Sequence, residues 1–392
     1  MGEWPESGLD IEPAVLADWQ PVPIRQYVIK LVSGCNLACD HCYVYTMADK
    51  SWRSRPALML SSTLAKTSAR IAQHAAYHKV RRVRVVLHGG EPLLAGPGHL
   101  DLAARVLRKY LDPSVALEIT IQTNGTLLDE EFMQVLHSHS IKVGISIDGQ
   151  AAHHDRHRKY ANGRGSYRLA AEAISLLSMP QHKDLFGGLL CTIDLRNDPL
   201  EVYAALLEFT PPLIDFLLPH GTWSSPPPGR GSSATRPYAD WLTSIFDTWY
   251  FAARQETRIR LFEEIINLLL GGHSTSDQVG VSPADYLVVD ADGSLQLTDA
   301  LKAAYPGAPE TGLNVFDNTI EQALRHPAVM ARQLGLAALA EKCRRCPIVS
   351  VCGGGHYPHR YQRGSGFRNP SVYCPDLMSL IEHISRQLRP TA

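Results

Sequence analysis

The stretch "SGCNLACDHCYVYTMADKSWR" (residues 33–53) places Cys35, Cys39 and Cys42 within eight residues, directly after the apolar run "QYVIKLV" (26–32). A disulfide framework uses cysteines in pairs, and a structural zinc site closes around four ligands. Three thiols without a fourth nearby are the set expected when a metal centre keeps one coordination position open. The spacing Cys-x3-Cys-x2-Cys lets one loop present three soft thiolates to an iron–sulfur cube. The fourth iron is then left without a protein ligand.

Outward from that loop, strand-like runs alternate with helical patterns. Strands are predicted over 26–32, 81–88, 116–122, 141–147, 185–193 and 213–219, with helices over 61–79, 98–111, 129–139, 166–178 and 199–208. Six strands separated by helices predict an α/β unit with a parallel sheet. Their nearly continuous apolar runs predict strands covered on both faces. The unusual residues all follow strand ends: the cysteines, Gly89-Gly90-Glu91-Pro92, Thr123-Asn124-Gly125, Asp148-Gly149 and His220-Gly221. In parallel α/β folds the C-terminal edge of the sheet carries the active site. Five polar loops on one rim predict a site.

The 392 residues are 45% hydrophobic and 20% charged, with a net charge of −1, so nothing electrostatic favours nucleic acid or an anionic membrane as partner. No apolar run reaches the roughly 18 residues of a membrane span. The acidic start "MGEWPESGLDIEPAVLADWQ" lacks the features of a signal peptide, and Ser7 falls one position beyond the serine or threonine of a myristoylation signal. A cytoplasmic location is expected, where thiols stay reduced and clustered cysteines read as metal ligands. Cys191, alone in "LFGGLLCTIDL", reads as a small buried hydrophobe.

After Pro219, "HGTWSSPPPGRGSSATRP" (220–237) reads as a linker or exposed loop, followed by helices over 237–254 and 259–270. "DYLVVDADGSLQLTD" (285–299) predicts a hairpin turning at Asp292-Gly293. A second group, Cys343, Cys346, Cys352 and Cys374, supplies four thiols that can close around zinc or an iron–sulfur cluster. The segment "YPHRYQRGSGFRNP" (357–370) is basic and aromatic, suited either to a peptide partner or to a solvated loop beside a metal centre. The expected divisions are an N-terminal extension (1–24), the α/β unit (25–220), a linker with bridging helices (221–278) and a cysteine-bearing domain (279–392).

With "GGEP" (89–92) beside it, the three-cysteine loop resembles that of the radical S-adenosylmethionine (SAM) enzymes. The resemblance implies a partial (β/α)6 TIM-like barrel whose open iron chelates SAM. Reductive cleavage of SAM then yields a radical that abstracts hydrogen from substrate. It further implies that Gly89, Gly90 and Glu91 receive the SAM amino group. Ser146 and Asp148 fall where the ribose and carboxylate contacts lie, and Asn124 sits on the same rim. "HHDRHRKYANGRGSY" (153–167) resembles a segment of peptide-modifying members, with Arg158 balancing the SAM carboxylate. Where Phe or Tyr is common before the last cysteine, this chain has His41, whose ring would pack near adenine.

The second cysteine group resembles the SPASM extension of radical SAM peptide maturases, which implies an auxiliary [4Fe–4S] cluster. The full pattern has three further cysteines. Here His356 and Thr298 stand at two of those positions, and no cysteine lies near 277–283. One auxiliary cluster, ligated by Cys343, Cys346, Cys352 and Cys374, is therefore expected, with electron transfer as its role.

The segments "GCNLACDHCYVYTMADKSWR", "DGSLQLTDALKAAYPGAPETGLNVF" and "CPIVSVCGGGHYPHRYQRGSGFRNPSVYC" resemble the FxsB-type cyclophane-forming maturases. That resemblance implies a ribosomal precursor peptide as substrate. It also implies a carbon–carbon crosslink between an aromatic ring and the β-carbon of another residue. An electron donor is needed, either a reductase or a flavodoxin or ferredoxin. The proton acceptor is not identified by sequence; Asp148 and His220 are candidates by position. About 25 residues precede the first strand, too few for a leader-binding domain there. The competing readings are a radical SAM maturase making a thioether, an epimerised residue or formylglycine, and a non-catalytic iron–sulfur or zinc interaction protein.

Overall fold

The computed structural model describes residues 3–5, 8, 9, 11, 13–230 and 235–388, so residues 231–234 of the expected linker lie outside it. The chain forms two compact units, each assembled from separate segments: Val22–Leu190 with Asp285–His326, and Met1–Pro21 with Cys191–Ala284 and Pro327–Ala392. Each unit therefore collects residues far apart in sequence, whereas the expected divisions were linear.

In the first unit, β1 (Gln26–Val32), β2 (Arg82–Gly89), β3 (Ala116–Thr123), β4 (Lys142–Ser146) and β5 (Phe186–Thr192, whose last residues belong to the second unit) pair in that order, all parallel. Their bounds lie within one residue or so of the predicted runs. β-branched and aliphatic residues favour this pleated, packed surface. Helices Ser61–Tyr77, Pro97–Tyr110, Glu130–His139 and Tyr167–Ser178 connect them. The Asp129 carboxylate accepts from Phe132 N–H and caps the third of these.

Burial on both faces holds for β1 but not for β2, where Arg82 and Arg84 are exposed. They pair with Glu118 on β3 at 3.4 and 3.2 Å, so this end of the sheet meets water on one face.

The predicted hairpin is present as β8 (Tyr286–Val289) and β9 (Ser294–Gln296), numbered after the second unit's β6 (Leu213–Leu217) and β7 (Arg258–Ile259). Periodicity did not reveal its partner. β8 lies parallel to β1, pairing Gln26 with Tyr286 through Ile29 with Val289, and β10 (Glu310–Asn314) continues the edge. A buried ion network holds this join. Lys30 Nζ on β1, 1% exposed, reaches Asp290 at 2.9 Å and Asp299 at 3.1 Å. Burial alone would discharge Lys30, but the two aspartates hold it protonated. Lys302, also buried, reaches Asp49 at 2.9 Å, and Asp49 accepts from Gly307 N–H at 2.7 Å.

In the second unit Ile193 N–H donates to Leu217 O at 3.0 Å, and β7 pairs parallel with β6. Helices Pro237–Tyr250, Arg260–Leu269 and Cys374–Gln387 pack together through Phe246, Trp249 and Phe262. Asp376 accepts from the N–H groups of Tyr238 and Ala239 and closes the start of the first of these helices. The segment 357–370 is not the exposed aromatic surface that its composition allowed. Tyr357, Tyr361 and Phe367 are buried, with Tyr357 stacked on Phe367 at 4.5 Å, and only residues 362–365 are exposed throughout. Cys191 is buried, as its apolar context predicts. No helix among the described residues is long and apolar enough to cross a membrane.

Removing one partner of a buried ion pair strands the other charge. Asp290→Ala is expected to lower the unfolding free energy by about 3–5 kcal/mol, read by urea denaturation. A change below about 1 kcal/mol would mean that the Lys30 network does not hold the hairpin to β1.

Candidate functional site

In the first unit four of the five predicted rim segments, all but His220-Gly221, come together around the cysteine loop. β1 ends at Val32, and the chain turns out of the sheet with Ala38 N–H on Lys159 O (2.6 Å) and Cys42 N–H on Cys39 O (3.3 Å). Cys35, Cys39 and Cys42 are all partly buried and free. Burial pushes the Cys35 thiol up to about 12 and the Cys39 thiol up to about 11, and raises Cys42 as well. Burial thus disfavours the thiolate form, and a bound metal would supply the compensating charge. Backbone N–H groups already point at them, Leu37 at Cys35 and both Val44 and Tyr45 at Cys42, as suits cluster-bearing thiolates.

Among the described residues, the three loop sulfurs do not lie within 4.8 Å of one another. Among the described residues, three groups bring His, Cys, Asp or Glu ligand atoms within 4.8 Å of one another: His220–His356–His359, Asp40–His41–His157 and His74–His78–Glu321. None contains a cysteine. Thiolates sharing one zinc at about 2.3 Å would lie within about 4 Å of each other.

The "GGEP" turn packs against this loop. Gly90 N–H donates to Val32 O and Glu91 N–H to Gly34 O, at 3.0 and 2.9 Å. Gly89 has a φ of 146°, and a Cβ there would lie 2.2 Å from Val32 O; at Gly90 it would lie 2.1 Å from Gly34 O. Only glycine permits this approach.

Glu91 itself is 1% exposed. Its carboxylate accepts from Leu93 N–H (3.0 Å), Thr123 Oγ1–H (2.6 Å) and Asn124 N–H (2.8 Å). Burial raises its pKa, and these three donors oppose the rise. Glu91 thus ties the turn after β2 to the end of β3. Asn124 continues the chain of contacts by donating to Asn36 Oδ1 at 2.9 Å, while Asn36 donates to Thr126 Oγ1 at 2.9 Å.

Across the rim, Asp148 takes both Arg158 Nε (2.7 Å) and Nη2 (3.1 Å). Burial would raise the Asp148 pKa, but Arg158 and then His41 hold it down at about 2. Both of its oxygens are thereby engaged as an ionised partner. His41 Nε2 stands 3.9 Å from Asp148, and burial with Arg158 lowers its pKa to about 4, so the ring is neutral at pH 7. His154 Nδ1 accepts from Asp148 N–H at 3.3 Å, its Nε2 meets Ser166 Oγ at 2.9 Å, and Ser166 donates to Arg158 O at 2.8 Å. Asp155 accepts from Tyr167 N–H at 2.8 Å. The segment 154–167 therefore folds back to hold Arg158.

Ser146 Oγ accepts from Gln122 Nε2 at 3.1 Å. Sequence reasoning passed over Gln122, Asn36 and the Lys30 network. A lysine inside the apolar "QYVIKLV" was the available signal for the last, since a buried charge requires a partner.

The second cysteine group lies in the second unit. Cys343, Cys346, Cys352 and Cys374 line one cavity of about 50 Å³, closed by Ile348, Val349 and Met378. Burial raises the Cys343 and Cys374 thiols and pushes Cys352 up to about 11. Arg360 ties the loop by donating to Gly353 O (2.8 Å) and Gly355 O (2.6 Å). The four thiols line an apolar cavity, and among the described residues no three of their sulfurs lie within 4.8 Å of one another. Thr298, where a further cysteine was sought, instead accepts from Ala300 N–H and caps a short 3-10 turn in the first unit. His220, a candidate proton acceptor, is in the second unit, whereas Asp148 is in the first.

Comparison with known proteins agrees with this arrangement. Residues 29–180 match the Radical SAM superfamily. The cysteine-type anaerobic sulfatase-maturating enzyme of Clostridium perfringens (strain 13 / Type A) is 24% identical over 372 residues, covering 92% of this chain and 96% of that protein. The serine-type enzyme of Klebsiella aerogenes is 26% identical over 384 residues, covering 94% and 88%. The fold matches that of native anSMEcpe with bound AdoMet, with a TM-score of 0.78 and 24% identity over 93% of this chain and 98% of that one. It also matches Streptococcus suis SuiB bound to precursor peptide SuiA, with a TM-score of 0.57 and 13% identity over 90% and 76%. The cysteine loop, the glycine turn and the strand-end rim all lie in residues 29–180, the part of the chain that matches the Radical SAM superfamily, and the chain has the radical SAM α/β fold.

Proposed function

We propose that this chain is a radical SAM enzyme that modifies a ribosomally made precursor peptide, joining an aromatic ring to the β-carbon of another residue as a cyclophane. The observation that supports the radical SAM part of the reading is the meeting, within one unit, of three half-buried thiols, the buried Glu91 carboxylate and the Asp148–Arg158 pair, while the cyclophane part rests on the resemblance of the two cysteine segments and the hairpin segment alone. When bound, a reduced [4Fe–4S] cluster and SAM supply a carbon radical that abstracts hydrogen from the substrate. Cys35, Cys39 and Cys42 hold three irons. Glu91, with the backbone of Gly89 and Gly90, presents an anionic, dry acceptor to the SAM ammonium. Arg158, oriented by Asp148, faces the carboxylate, while Asn124 and Ser146 offer polar contacts to the ribose. His41, neutral and flat, packs beside adenine. Cys343, Cys346, Cys352 and Cys374 hold an auxiliary [4Fe–4S] cluster, and a flavodoxin, ferredoxin or reductase in the cytoplasm delivers the electron.

The comparisons favour a second reading over the cyclophane, oxidation of a cysteine or serine to formylglycine, through the names of the relatives at 24% and 26% identity. Against it stands the cysteine inventory: eight residues, of which three serve the loop, four line one cavity and Cys191 lies buried in β5. Reduced enzyme and SAM, incubated with the peptide encoded beside its gene, are expected to remove two hydrogens. Tandem mass spectrometry should find no backbone fragments between the joined residues. An aldehyde trapped by hydroxylamine would establish formylglycine instead.

Two further outcomes test the site. Anaerobic protein is expected to carry about eight irons, and about four after Cys35, Cys39 and Cys42 are replaced together by alanine. Four irons in the wild type, with zinc on sulfur ligands, would overturn the auxiliary cluster. Glu91→Gln places an amide NH2 against a donor and removes the charge. SAM affinity should fall about 10- to 100-fold by calorimetry with iron retained, because a hydrogen bond to a charged group contributes about 1.5–3 kcal/mol.

A further inference from the structure

The second unit holds a cluster of three histidines, among them His220, outside the cysteine groups. His220 follows β6, and His356 and His359 lie on the loop after Cys352. Their ring centroids form a triangle with sides of 5.0, 5.5 and 5.7 Å, and one nitrogen from each lies within 4.8 Å of the others. His359 Nε2 and His220 Nδ1 are 3.3 Å apart. Ligands at about 2.0–2.1 Å from a tetrahedral ion are separated by about 3.3–3.4 Å. Asp277 Oδ2 stands 3.2 Å from His356 Nε2, with Arg332 Nη2 at 3.6 Å from the same oxygen. A carboxylate behind a ligand histidine is the usual device that fixes its ring and tautomer.

Among the described residues, two other groups bring histidine ligand atoms together. His74 uses both nitrogens, Nε2 accepting from Ile24 N–H and Nδ1 facing Glu321 at 2.5 Å. His157 Nδ1 is held by Asp40 at 2.6 Å beside the cysteine loop.

We infer that His220, His356 and His359 form a mononuclear site for a borderline divalent transition ion such as zinc, with Asp277 as the positioning residue for His356. Imidazole nitrogens suit zinc, copper, nickel and iron(II), while the hard ions calcium and magnesium prefer oxygen. Three protein ligands leave a coordination position open for water or substrate. His359 is buried and the His356 side chain is 14% exposed, so the ion has a covered seat and a way in. Coordination would tie the end of β6 to the loop that follows Cys352.

The test titrates the anaerobic, iron-loaded protein with zinc sulfate against a chromophoric chelator. One zinc per chain is expected beyond the cluster iron. Its K-edge absorption should report nitrogen or oxygen neighbours at about 2.0–2.1 Å and no sulfur at about 2.3 Å. His356→Gln and His359→Gln should each weaken zinc binding at least 100-fold at unchanged iron content, and Asp277→Asn about 10- to 100-fold. If a loop variant loses iron, His220→Gln, on the strand side, takes its place. Zinc uptake below a tenth of an equivalent, sulfur coordination, or affinity unchanged in the glutamine variants would overturn the site. None of these readouts depends on SAM cleavage, so the site stands or falls apart from the radical reading.

Discussion

The buried carboxylate of Glu91 is the constraint on which the rim depends. It sits on the turn after β2 and is satisfied by its own turn and by two groups at the end of β3. Its backbone N–H meanwhile holds Gly34, one residue before the first cysteine. Three strand ends are therefore registered by one side chain and its own peptide group. The donors are neutral, so the negative charge is hydrogen-bonded without being cancelled, and low dielectric strengthens its attraction for an incoming cation. The same contacts that fix the loop geometry place a hydrogen-bonded carboxylate at the edge of the cysteine loop.

The other side of the rim has the opposite logic. Asp148 and Arg158 cancel each other in a bidentate pair, and the His154–Ser166 contacts hold the segment that carries Arg158. Such a pair positions a guanidinium rigidly. Little side-chain entropy then remains for Arg158 to lose on meeting any further partner.

Two buried lysines extend this order away from the rim. Lys30 joins β1 to the turn of the hairpin, and Lys302 joins the next turn to Asp49 at the far end of the cysteine loop. Residues from the last third of the chain thus hold β1 just before the cysteine loop and Asp49 beyond it. Buried ion pairs contribute less to net stability than to a unique arrangement. Here the arrangement is one in which β8 can lie beside β1 and nowhere else. In the second unit, packing of helix Cys374–Gln387 on helix Pro237–Tyr250 brings the fourth thiol to the cavity lined by the other three.

Strand spans, helix spans, the hairpin turn and the polar residues at each strand end were legible in the sequence because they obey short periods and local turn chemistry. The cysteine spacings likewise speak for themselves, since a loop of eight residues cannot separate its thiols far. What was not legible depends on contacts between distant segments. Lys30 finds Asp290 across 260 positions, and His359 finds His220 across 139. The aromatic loop at 357–370 read as a surface by composition, yet its rings turn inward. Periodicity sets which face of an element is apolar, but it does not name the element that will cover it. That choice is made by the register of β8 on β1 and by helix packing, where buried charges must meet partners and apolar rings must leave water. Local sequence determined the elements and the chemistry at their ends; the tertiary fold decided which of those ends share a site.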